Sequence, residues 1–362
     1  MDINTLSGIL ERASGLNVLV VGDVVLDRFV YGSTQRVSRE APVPVLDENA
    51  VELMLGGAGN VIRNLRALGA QATLISVVGD DVEGADVRSR LDLEAAEHKL
   101  IVDAVRPTPV KTRFVSNGHQ MLCVDRNPKS GLSETTEAGL VSAITAAIEA
   151  ADIVILSDYG RGVVSPMVSA NLMKAARAAG KRVCVDPRGR DFSRYNGAFL
   201  IKPNALELYE ESGIDPVDDT RTADALASVY SRLDTVDHLI VTRGSKGMSL
   251  HGAAGDVHVR AQPRQVYDVS GAGDTAISML AIALASEADL RTSMEAAVHA
   301  SGEVVTKVGT ATVSPDDLLS AAGAKAGRGH DMPLAQAVET VARWRAHGLK
   351  IGLTNGCFDI LH

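Results

Sequence analysis

The residues best suited to chemistry form a short run of small and acidic side chains directly before an apolar helix. The run is Asp268-Val269-Ser270-Gly271-Ala272-Gly273-Asp274, and the apolar stretch 275–285 follows it. Small residues at a helix start let backbone N–H groups converge on an anion, and the helix dipole adds to the attraction. Asp274 would lie beside a bound phosphoryl group, where it could accept the proton of an attacking hydroxyl. The alternative is an acidic residue that caps the helix, and the two glycines favour the catalytic interpretation.

A second glycine-rich run lies near the N-terminus and opens another predicted helix. It reads Gly56-Gly57-Ala58-Gly59-Asn60 and precedes the helical pattern 61–68. Glycines allow close approach of the backbone to a ligand, and Asn60 offers both a donor and an acceptor to sugar hydroxyls. Asp27 follows the first predicted strand and is a further candidate for a polar ligand, although taken alone it fits a turn residue better.

Two later segments follow predicted strands and each allows two interpretations. In Lys202-Pro203-Asn204-Ala205-Leu206-Glu207, the Asn and Glu have the spacing of a helix capping box. They could also face phosphates and organise the water shell of Mg²⁺. The strand that ends near Val241 is followed by Thr242, Gly244 and Gly247. These three residues could contact a nucleotide or form a turn between two strands.

Composition excludes several classes of protein. The 362 residues carry 36 Lys+Arg against 45 Asp+Glu, a net charge of −9, so we expect no nucleic-acid or membrane partner. The sequence has no G-x-x-x-x-G-K-[ST] phosphate loop and no H-E-x-x-H zinc spacing. Its three cysteines lack C-x-x-C spacing, which disfavours disulfides and fits a reducing compartment. The N-terminus does not resemble a signal peptide and the apolar window 276–285 is short, so we expect a cytoplasmic protein.

The elements that must position these residues follow from the apolar pattern. Short apolar runs alternate with amphipathic stretches, which predicts an α/β fold with a doubly wound, mostly parallel sheet. Ligands of such sheets bind at the carboxyl ends of the strands. The predicted strands are 18–21, 72–78, 153–156, 183–185 and 238–241, and the predicted helices include 61–68, 139–150 and 166–179, two of them ending near Gly69 and Gly180.

Two regions break this alternation, and a third changes composition. Residues 28–55 and 110–124 contain short β-like pieces, the second turning at Asn117-Gly118. They could form a small separate sheet, acting as a lid or subunit contact, or an edge extension of the main sheet. Residues 322–331 are small, polar and glycine-rich, as in linkers, and a helix over 334–347 and a strand over 350–354 are expected beyond them.

Taken together, the Gly56–Asn60, Asn204–Glu207 and Asp268–Asp274 runs resemble, in order and spacing, the ribokinase (PfkB) family of carbohydrate kinases over residues ~15–320. The resemblance implies a ribokinase-like fold with a small β lid and ATP-dependent transfer to a sugar hydroxyl. It implies Asp274 as the base, an anion hole at Gly271, Ala272 and Gly273, ATP contacts from Asn204, Ala205, Leu206, Glu207, Thr242, Gly244 and Gly247, and sugar contacts from Asp27, Gly56, Gly57 and Asn60. Mg²⁺ would accompany ATP through water near Asn204 and Glu207, without direct ligands, and a monovalent cation requirement stays open.

Three further segments, 37–45, 156–162 and 185–189, are similar to the heptose 7-phosphate kinase branch of this family. That similarity implies phosphorylation at C1 of D-glycero-β-D-manno-heptose 7-phosphate, giving the 1,7-bisphosphate used for ADP-heptose and lipopolysaccharide core. Residues 354–362 resemble the opening of a nucleotidyltransferase domain. The resemblance thus implies a kinase domain over 1–321, a linker over 322–332 and a truncated second domain over 333–362 without adenylyltransferase activity.

The distal phosphate of such an acceptor requires local cations, because the net charge is negative. Cations near predicted strand ends or the lid are Arg39, Lys111, Arg113, Arg161 and Lys202, each of which could instead be a solvated surface charge. As a subunit contact, the small sheet would join two copies of the chain, so a homodimer formed through the lid is expected. Two rivals stay open: another sugar or nucleoside kinase of this fold, such as a ribokinase, and a catalytically silent sugar-phosphate sensor.

Overall fold

The computed structural model describes residues 1–253, 255–307 and 309–326, together with 338, 341, 345 and 352. The chain divides into two units, Met1–Leu319 and Ser320–His362. Residues 322–326 of the predicted linker continue the helix Pro315–Ala326. The rest of the predicted linker, and nearly all of the helix and strand predicted after it, lie outside the described residues and stay predictions. In the described part, no helix combines the length and apolar character that crossing a bilayer demands.

Strands and helices alternate along most of the first unit. The strands are β1 Asn17–Gly22, β2 Val24–Val37, β3 Pro44–Gly57, β4 Gln71–Gly79, β5 Glu97–Asp103, β6 Val110–Ser116, β7 His119–Arg126, β8 Ile153–Ser157, β9 Arg182–Asp186, β10 Leu200–Ile201, β11 His238–Thr242, β12 Met248–Gly252 and β13 Val257–Val259. The helices are α1 Ile3–Ala13, α2 Ala58–Ala67, α3 Val82–Leu93, α4 Glu134–Ala147, α5 Pro166–Ala178, α6 Ala205–Ser212, α7 Asp219–Tyr230, α8 Ala272–Ala285, α9 Leu290–Val304 and α10 Pro315–Ala326.

The main sheet has nine strands in the order β13-β12-β11-β10-β9-β8-β1-β4-β5. The strands from β11 to β5 pair in parallel, and β12 and β13 add an antiparallel edge. All five predicted apolar runs are strands of this sheet, and in β8 every residue is buried. A parallel sheet covered by helices on both faces buries its strands completely, which is why these runs are continuously apolar. The predicted fold class is confirmed.

A second sheet of four strands, in the order β3-β2-β6-β7, forms the lid. It is not an extension of the main sheet, so that alternative is wrong. The β6–β7 hairpin turns at Asn117 (φ 50°) and Gly118 (φ 80°), the left-handed conformations that Asn-Gly hairpin turns require. Only Asp23 separates β1 from β2, and β3 runs directly into α2. The base of the lid is therefore continuous with the core of the protein.

Helix α8 lies at the centre of the fold and is buried from Asp274 to Leu284. It packs against α2, where the hydroxyl of Thr275 donates a hydrogen bond to Oδ1 of Asn64 at 2.7 Å. Gly271 precedes the helix at φ 81°, a left-handed conformation that strains any residue with a Cβ. The apolar body of α8 thus fixes its first turn beside the first turn of α2.

Candidate active site

A cleft of about 270 Å³ opens at the carboxyl ends of the central parallel strands, where ligands of such sheets bind. The residues that line it lie at or just after the ends of β8, β9, β10 and β11, or at the starts of α6 and α8. They are Asp158, Tyr159, Asp186, Pro187, Arg188, Lys202, Asn204, Glu207, Thr242, Gly271, Gly273 and Asp274. The structure therefore brings the predicted Asn-Glu pair, Thr242 and the predicted catalytic run into one cleft, although they are far apart in sequence.

Asp274 is 6 % exposed, and both oxygens of its carboxyl group accept hydrogen bonds. The amide of Asn60 donates to Oδ2 at 2.6 Å, and the hydroxyl of Tyr159 donates to Oδ1 at 2.5 Å. Burial raises the pKa of Asp274 to about 6, against the opposing effect of these two hydrogen bonds. The residue before α8 is Gly271, so Asp274 does not cap the helix. It is a buried carboxylate with the basicity of a neutral-pH proton acceptor.

A buried ammonium group lies next to the first turn of α8. A Cβ placed on Gly273 would be 3.9 Å from Nζ of Lys202. That Nζ forms an ion pair with Oδ1 of Asp186 at 3.0 Å, and Lys202 is only 2 % exposed. Burial raises the pKa of Asp186, although Lys202 opposes the shift. The helix N-terminus and Lys202 together make this corner of the cleft favourable for an anion.

Asn204 and Glu207 form the predicted capping box and also line the cleft. Oδ1 of Asn204 accepts from the Glu207 N–H, and Oε2 of Glu207 accepts from the Asn204 N–H, both at 2.9 Å. Oε1 of Glu207 takes no part in the capping box and lies 3.3 Å from Nη1 of Arg188. Burial raises the pKa of Glu207, and the hydrogen bond from the Asn204 backbone opposes that rise. The two interpretations are compatible, because the cap fixes the side chains that face the cleft.

The other predicted nucleotide residues are divided between the cleft and a turn. Thr242 ends β11 and lines the cleft. Gly244 and Gly247 lie in the turn to β12, so the two-strand turn is present here. A Cβ on Gly247 would lie 2.0 Å from the carbonyl oxygen of Val259, so this glycine makes room for β13. Ala205 and Leu206 lie in the first turn of α6, and Leu206 is exposed.

The predicted sugar residues lie at the base of the lid. Asp27 is buried and Oδ1 accepts a hydrogen bond from Nη1 of Arg113 at 2.7 Å. Burial raises the pKa of Asp27, while Arg113 opposes the rise. A Cβ on Gly56 would lie 2.4 Å from Oδ2 of Asp27, so only glycine leaves that carboxylate in place. Gly57, at φ 58°, ends β3 and leads into the helix that carries Asn60.

Three of the five predicted phosphate-binding cations gather near Asp27, and two do not: Lys202 lies in the cleft beside Asp186, and Arg39 lies elsewhere in the lid. Nζ of Lys111 lies 3.2 Å from Asp125, Nη2 of Arg161 lies 3.7 Å from the same carboxylate, and Arg113 binds Asp27. Arg39 is exposed and lies past Val37, the last residue of β2, twelve positions along the chain from Asp27. The structure therefore does not bring Arg39 to this group, because β2 is extended and carries it to the tip of the lid.

Four polar residues of the site and the lid are not among the functional residues that the sequence predicts: Tyr159, Asp158, Asp186 and Asp125. Asp186 ends β9, and Asp158 and Tyr159 directly follow β8. The position of a polar residue at the carboxyl end of a predicted buried strand was therefore a usable signal for three of them. Asp125 carries no such signal, because its importance depends on the pairing of β7 with β6 in the lid.

The oxygen donors of the cleft fit Mg²⁺ carried by ATP. Asp186, Glu207 and Asn204 supply hard carboxylate and amide oxygens, the ligand type that Mg²⁺ prefers. Across the described residues, no three His, Cys, Asp or Glu side chains are grouped as a direct metal site. Water-mediated contact with a nucleotide-bound ion suits this arrangement, because Mg²⁺ usually keeps several of its waters.

Comparisons with known proteins agree with this geometry. Residues 16–317 match the pfkB family carbohydrate kinase. The chain is 46 % identical over 359 residues to the "Bifunctional protein HldE" of Caulobacter vibrioides, covering 98 % of this chain and 74 % of that protein. It is 43 % identical to the HldE of Paramagnetospirillum magneticum, covering 100 % and 75 %.

Solved structures share the fold at low sequence identity. Phosphofructokinase-2 from Escherichia coli, in complex with substrates and products, superposes with a TM-score of 0.72 at 20 % identity, covering 85 % of this chain and 98 % of that one. Arabidopsis thaliana ribokinase, complexed with ribose and ATP, gives 0.67 at 19 % identity over 85 % and 98 %. Since the family match spans most of the chain and includes every residue of the cleft, the chain belongs to the PfkB family of ATP-dependent carbohydrate kinases.

Proposed function

We propose that this kinase phosphorylates the C1 hydroxyl of D-glycero-β-D-manno-heptose 7-phosphate. The observation that carries the proposal is the group of Lys111, Arg113 and Arg161 beside the predicted sugar residue Asp27. Although the net charge of the protein is −9, this group contains three cations and only two carboxylates. The phosphate of a sugar phosphate would balance the excess positive charge. The similarity to the heptose 7-phosphate kinase branch and to the HldE proteins supports this acceptor.

The proposed reaction is an in-line displacement at the γ-phosphorus of ATP. The acceptor oxygen forms a bond to the γ-phosphorus while the bond to the β–γ bridging oxygen breaks, and that electron pair leaves with ADP. Asp274 takes the proton of the acceptor hydroxyl, for which its raised pKa suits it. The first-turn N–H groups of α8 and the ammonium of Lys202 stabilise the transferring oxygens. When bound with ATP, Mg²⁺ near Asn204 and Glu207 would neutralise phosphate charge.

Acceptor choice is tested by measuring ADP release with heptose and with heptose 7-phosphate. We expect kcat/KM to be about 10²-fold higher for the phosphorylated sugar, because the phosphate would form charge-assisted hydrogen bonds with these cations that the unphosphorylated sugar cannot form. Replacing Arg161 by Gln should erase most of this preference by raising KM. Arg36→Met is the matched control, since Arg36 is an exposed lid arginine at the tip, paired only with Asp47 among the described residues.

Equal turnover of both sugars would favour a ribokinase-like acceptor instead. A complete lack of ADP release across a panel of sugar phosphates and nucleosides would favour the silent sensor. The intact set of Asp274, Asn204 and Glu207 in one cleft supports catalysis over sensing. We also propose a cytoplasmic location, where ATP is available. Residues 354–362 resemble the opening of a nucleotidyltransferase domain, which supports the proposal that such a domain starts within 333–362; the chain spans about three quarters of the length of the HldE relatives.

We further propose that the lid joins two copies of this chain. Strand alternation places Asp27 and Arg113 on one face of the lid and an apolar row on the other. This face holds a groove of about 590 Å³ that is lined by five apolar residues, Val30, Val51, Leu53, Phe114 and Val124, and by Arg28, Glu48 and Thr112. Val51 and Val124 are 46 % and 47 % exposed, and the edge strand β7 is exposed throughout. An exposed apolar sheet face of this kind is typical of subunit contacts.

The dimer is tested with the double variant Val51→Glu/Val124→Glu. We expect light scattering to show loss of the dimer in favour of a 38.0 kDa monomer, because two charges would face each other across the contact. Leu93→Glu is the control, since Leu93 is an exposed apolar residue, 76 % exposed, that ends α3, outside the lid. A wild-type protein that is monomeric at micromolar concentration, or an unchanged dimer in the double variant, would contradict the proposal.

A further inference from the structure

Tyr159 makes the shortest contact to the carboxylate of Asp274. Its hydroxyl donates to Oδ1 at 2.5 Å, and Tyr159 lies in the loop that follows β8. The other oxygen, Oδ2, accepts from the amide of Asn60 at 2.6 Å. The two donors come from different elements, so the carboxylate plane is fixed from both sides. A carboxylate held by two charge-assisted hydrogen bonds has one orientation rather than several.

The loop that carries Tyr159 is itself fixed by buried charges. The carboxylate of Asp23 accepts three backbone hydrogen bonds at 2.9 Å, from the N–H groups of Tyr159, Arg161 and Val163. The guanidinium of Arg106 donates to the carbonyl of Arg161, and that of Arg194 donates to the carbonyl of Val164. Ordinary loops on protein surfaces have few such restraints. These hydrogen bonds restrain the backbone of the loop and therefore the position of Tyr159, whose side chain contacts Asp274.

The phenol of Tyr159 is a donor and not a base. Burial, together with the negative charge of Asp274, raises the pKa of Tyr159 well above its ordinary value, so its proton stays on the oxygen. The other charged groups that face this pair are Asp186 from the end of β9, Lys202 after β10 and Asp27 from the lid. Two of these three groups are negative and disfavour the ionised form of Asp274. The hydrogen bond from Tyr159 opposes them, because it lowers the pKa of Asp274.

We propose that Tyr159 is a positioning residue for phosphoryl transfer, which holds Oδ1 of Asp274 so that Oδ2, beside Asn60, receives the proton of the acceptor hydroxyl. The inference rests on the proposed function, because it requires Asp274 to be the base. During the reaction the Tyr159 proton remains on the phenol, and its hydrogen bond stabilises the ionised ground state of the base. Removing the hydroxyl should therefore make Asp274 a worse-oriented base that is protonated at higher pH.

The test is the pH profile of kcat/KM for Tyr159→Phe. We expect the acid limb, near pH 6 in the wild type, to move to higher pH by about one unit, and kcat at its plateau to fall roughly 10-fold. The KM for ATP should stay within about two-fold, since the phenol contacts the base. Tyr195→Phe is the matched control, because its hydroxyl donates to the carboxylate of Asp158 at 2.7 Å. That variant should leave the acid limb in place.

A second measurement separates the possible outcomes. Incorporating 3-fluorotyrosine at 159 keeps the shape of the side chain but makes the phenol a stronger donor, so the acid limb should move to lower pH. An acid limb that is unchanged in both variants, while Asp274→Asn is inactive, would overturn the positioning role and leave the base assignment standing. An Asp274→Asn variant that keeps its turnover would overturn the proposed mechanism itself.

Discussion

Replacing Asp274 by Asn should lower turnover by about 10³-fold and at the same time stabilise the folded protein at pH 8. The loss of turnover follows from removing the proton acceptor, since positioned general bases contribute about 10²–10⁴-fold. The stabilisation follows from burial. Asp274 is 6 % exposed, and the pKa of its carboxyl group rises from the usual 3.8 to about 6. The folded state therefore holds a charge that it would accommodate better as a neutral group.

The sign of this effect depends on pH. Between about pH 4 and 6 the folded protein binds a proton that the unfolded chain has already released, so the contribution of Asp274 to stability falls as pH rises. Above pH 6 the buried carboxylate is ionised and its full cost is present. Asparagine has nearly the same shape and no charge, so Asp274→Asn should raise the free energy of unfolding by up to about 3 kcal/mol at pH 8 and by little at pH 4.

Urea unfolding at the two pH values measures this directly, and ADP release in the same preparations measures turnover. Asp158→Asn is a control for the general effect of neutralising a buried carboxylate in this cleft, because burial also raises the pKa of Asp158. A variant of Asp274 that is inactive but destabilised at pH 8 would show that the hydrogen bonds to the carboxylate outweigh its burial. A variant that is active would remove Asp274 from the mechanism.

The second large effect is expected at Lys202. Its ammonium group is 2 % exposed and pairs with Asp186 at 3.0 Å. Lys202→Met leaves Asp186, whose side chain is 15 % exposed, without its cation. Breaking a buried ion pair in this way costs about 3–5 kcal/mol. Burial already raises the pKa of Asp186 in spite of Lys202, so the variant should lose less stability at acidic pH, where a raised pKa favours the neutral form of Asp186, than at alkaline pH.

Chemical unfolding of the double variant Asp186→Asn/Lys202→Met isolates the cause. We expect it to recover most of the stability that Lys202→Met loses, because no uncompensated charge remains. Lys111→Met provides the exposed comparison: Lys111 and Asp125 pair at 3.2 Å with both side chains about one third exposed, so the loss there should stay below about 1 kcal/mol. Equal losses at Lys202 and Lys111 would mean that the Lys202 pair is well hydrated.

The sequence predicts the main sheet well because its physical signal is local. A strand such as Ile153–Ser157 is buried on both faces, so its apolar run is visible without knowledge of its neighbours. The candidate catalytic run 268–274 is similarly visible, because its small and acidic residues stand directly before an apolar helix. Gly69 and Gly180 end the two helices as expected, at φ 96° and 66°.

What the sequence did not predict depends on contacts between distant segments. Tyr159 and Asp274 are 115 residues apart, and the hydrogen bond between them exists because β8 and α8 meet at one edge of the sheet. Arg39 appeared equivalent to Lys111 as a phosphate-binding cation, but the length of β2 carries it away. The position of Arg39 depends on the register of β2 against β3, which has two irregularities, near Gly32 and Thr34. Strand register depends on pairing between segments, so local composition does not reveal it.

The two insertions that form the lid have a consequence for how this kind of protein can diverge. One insertion, β2–β3, lies between β1 and α2, and the other, β6–β7, lies between β5 and α4, so both belong to the first half of the chain. The proposed acceptor contacts come from this half, whereas the proposed nucleotide contacts begin at Asp186. A recombination or a run of substitutions within residues 24–126 can therefore change the sugar without altering the nucleotide half. The contacts that join this segment to the rest of the chain, such as the hydrogen bonds from Asn60 to Asp274 and from Thr275 to Asn64, must survive such an exchange.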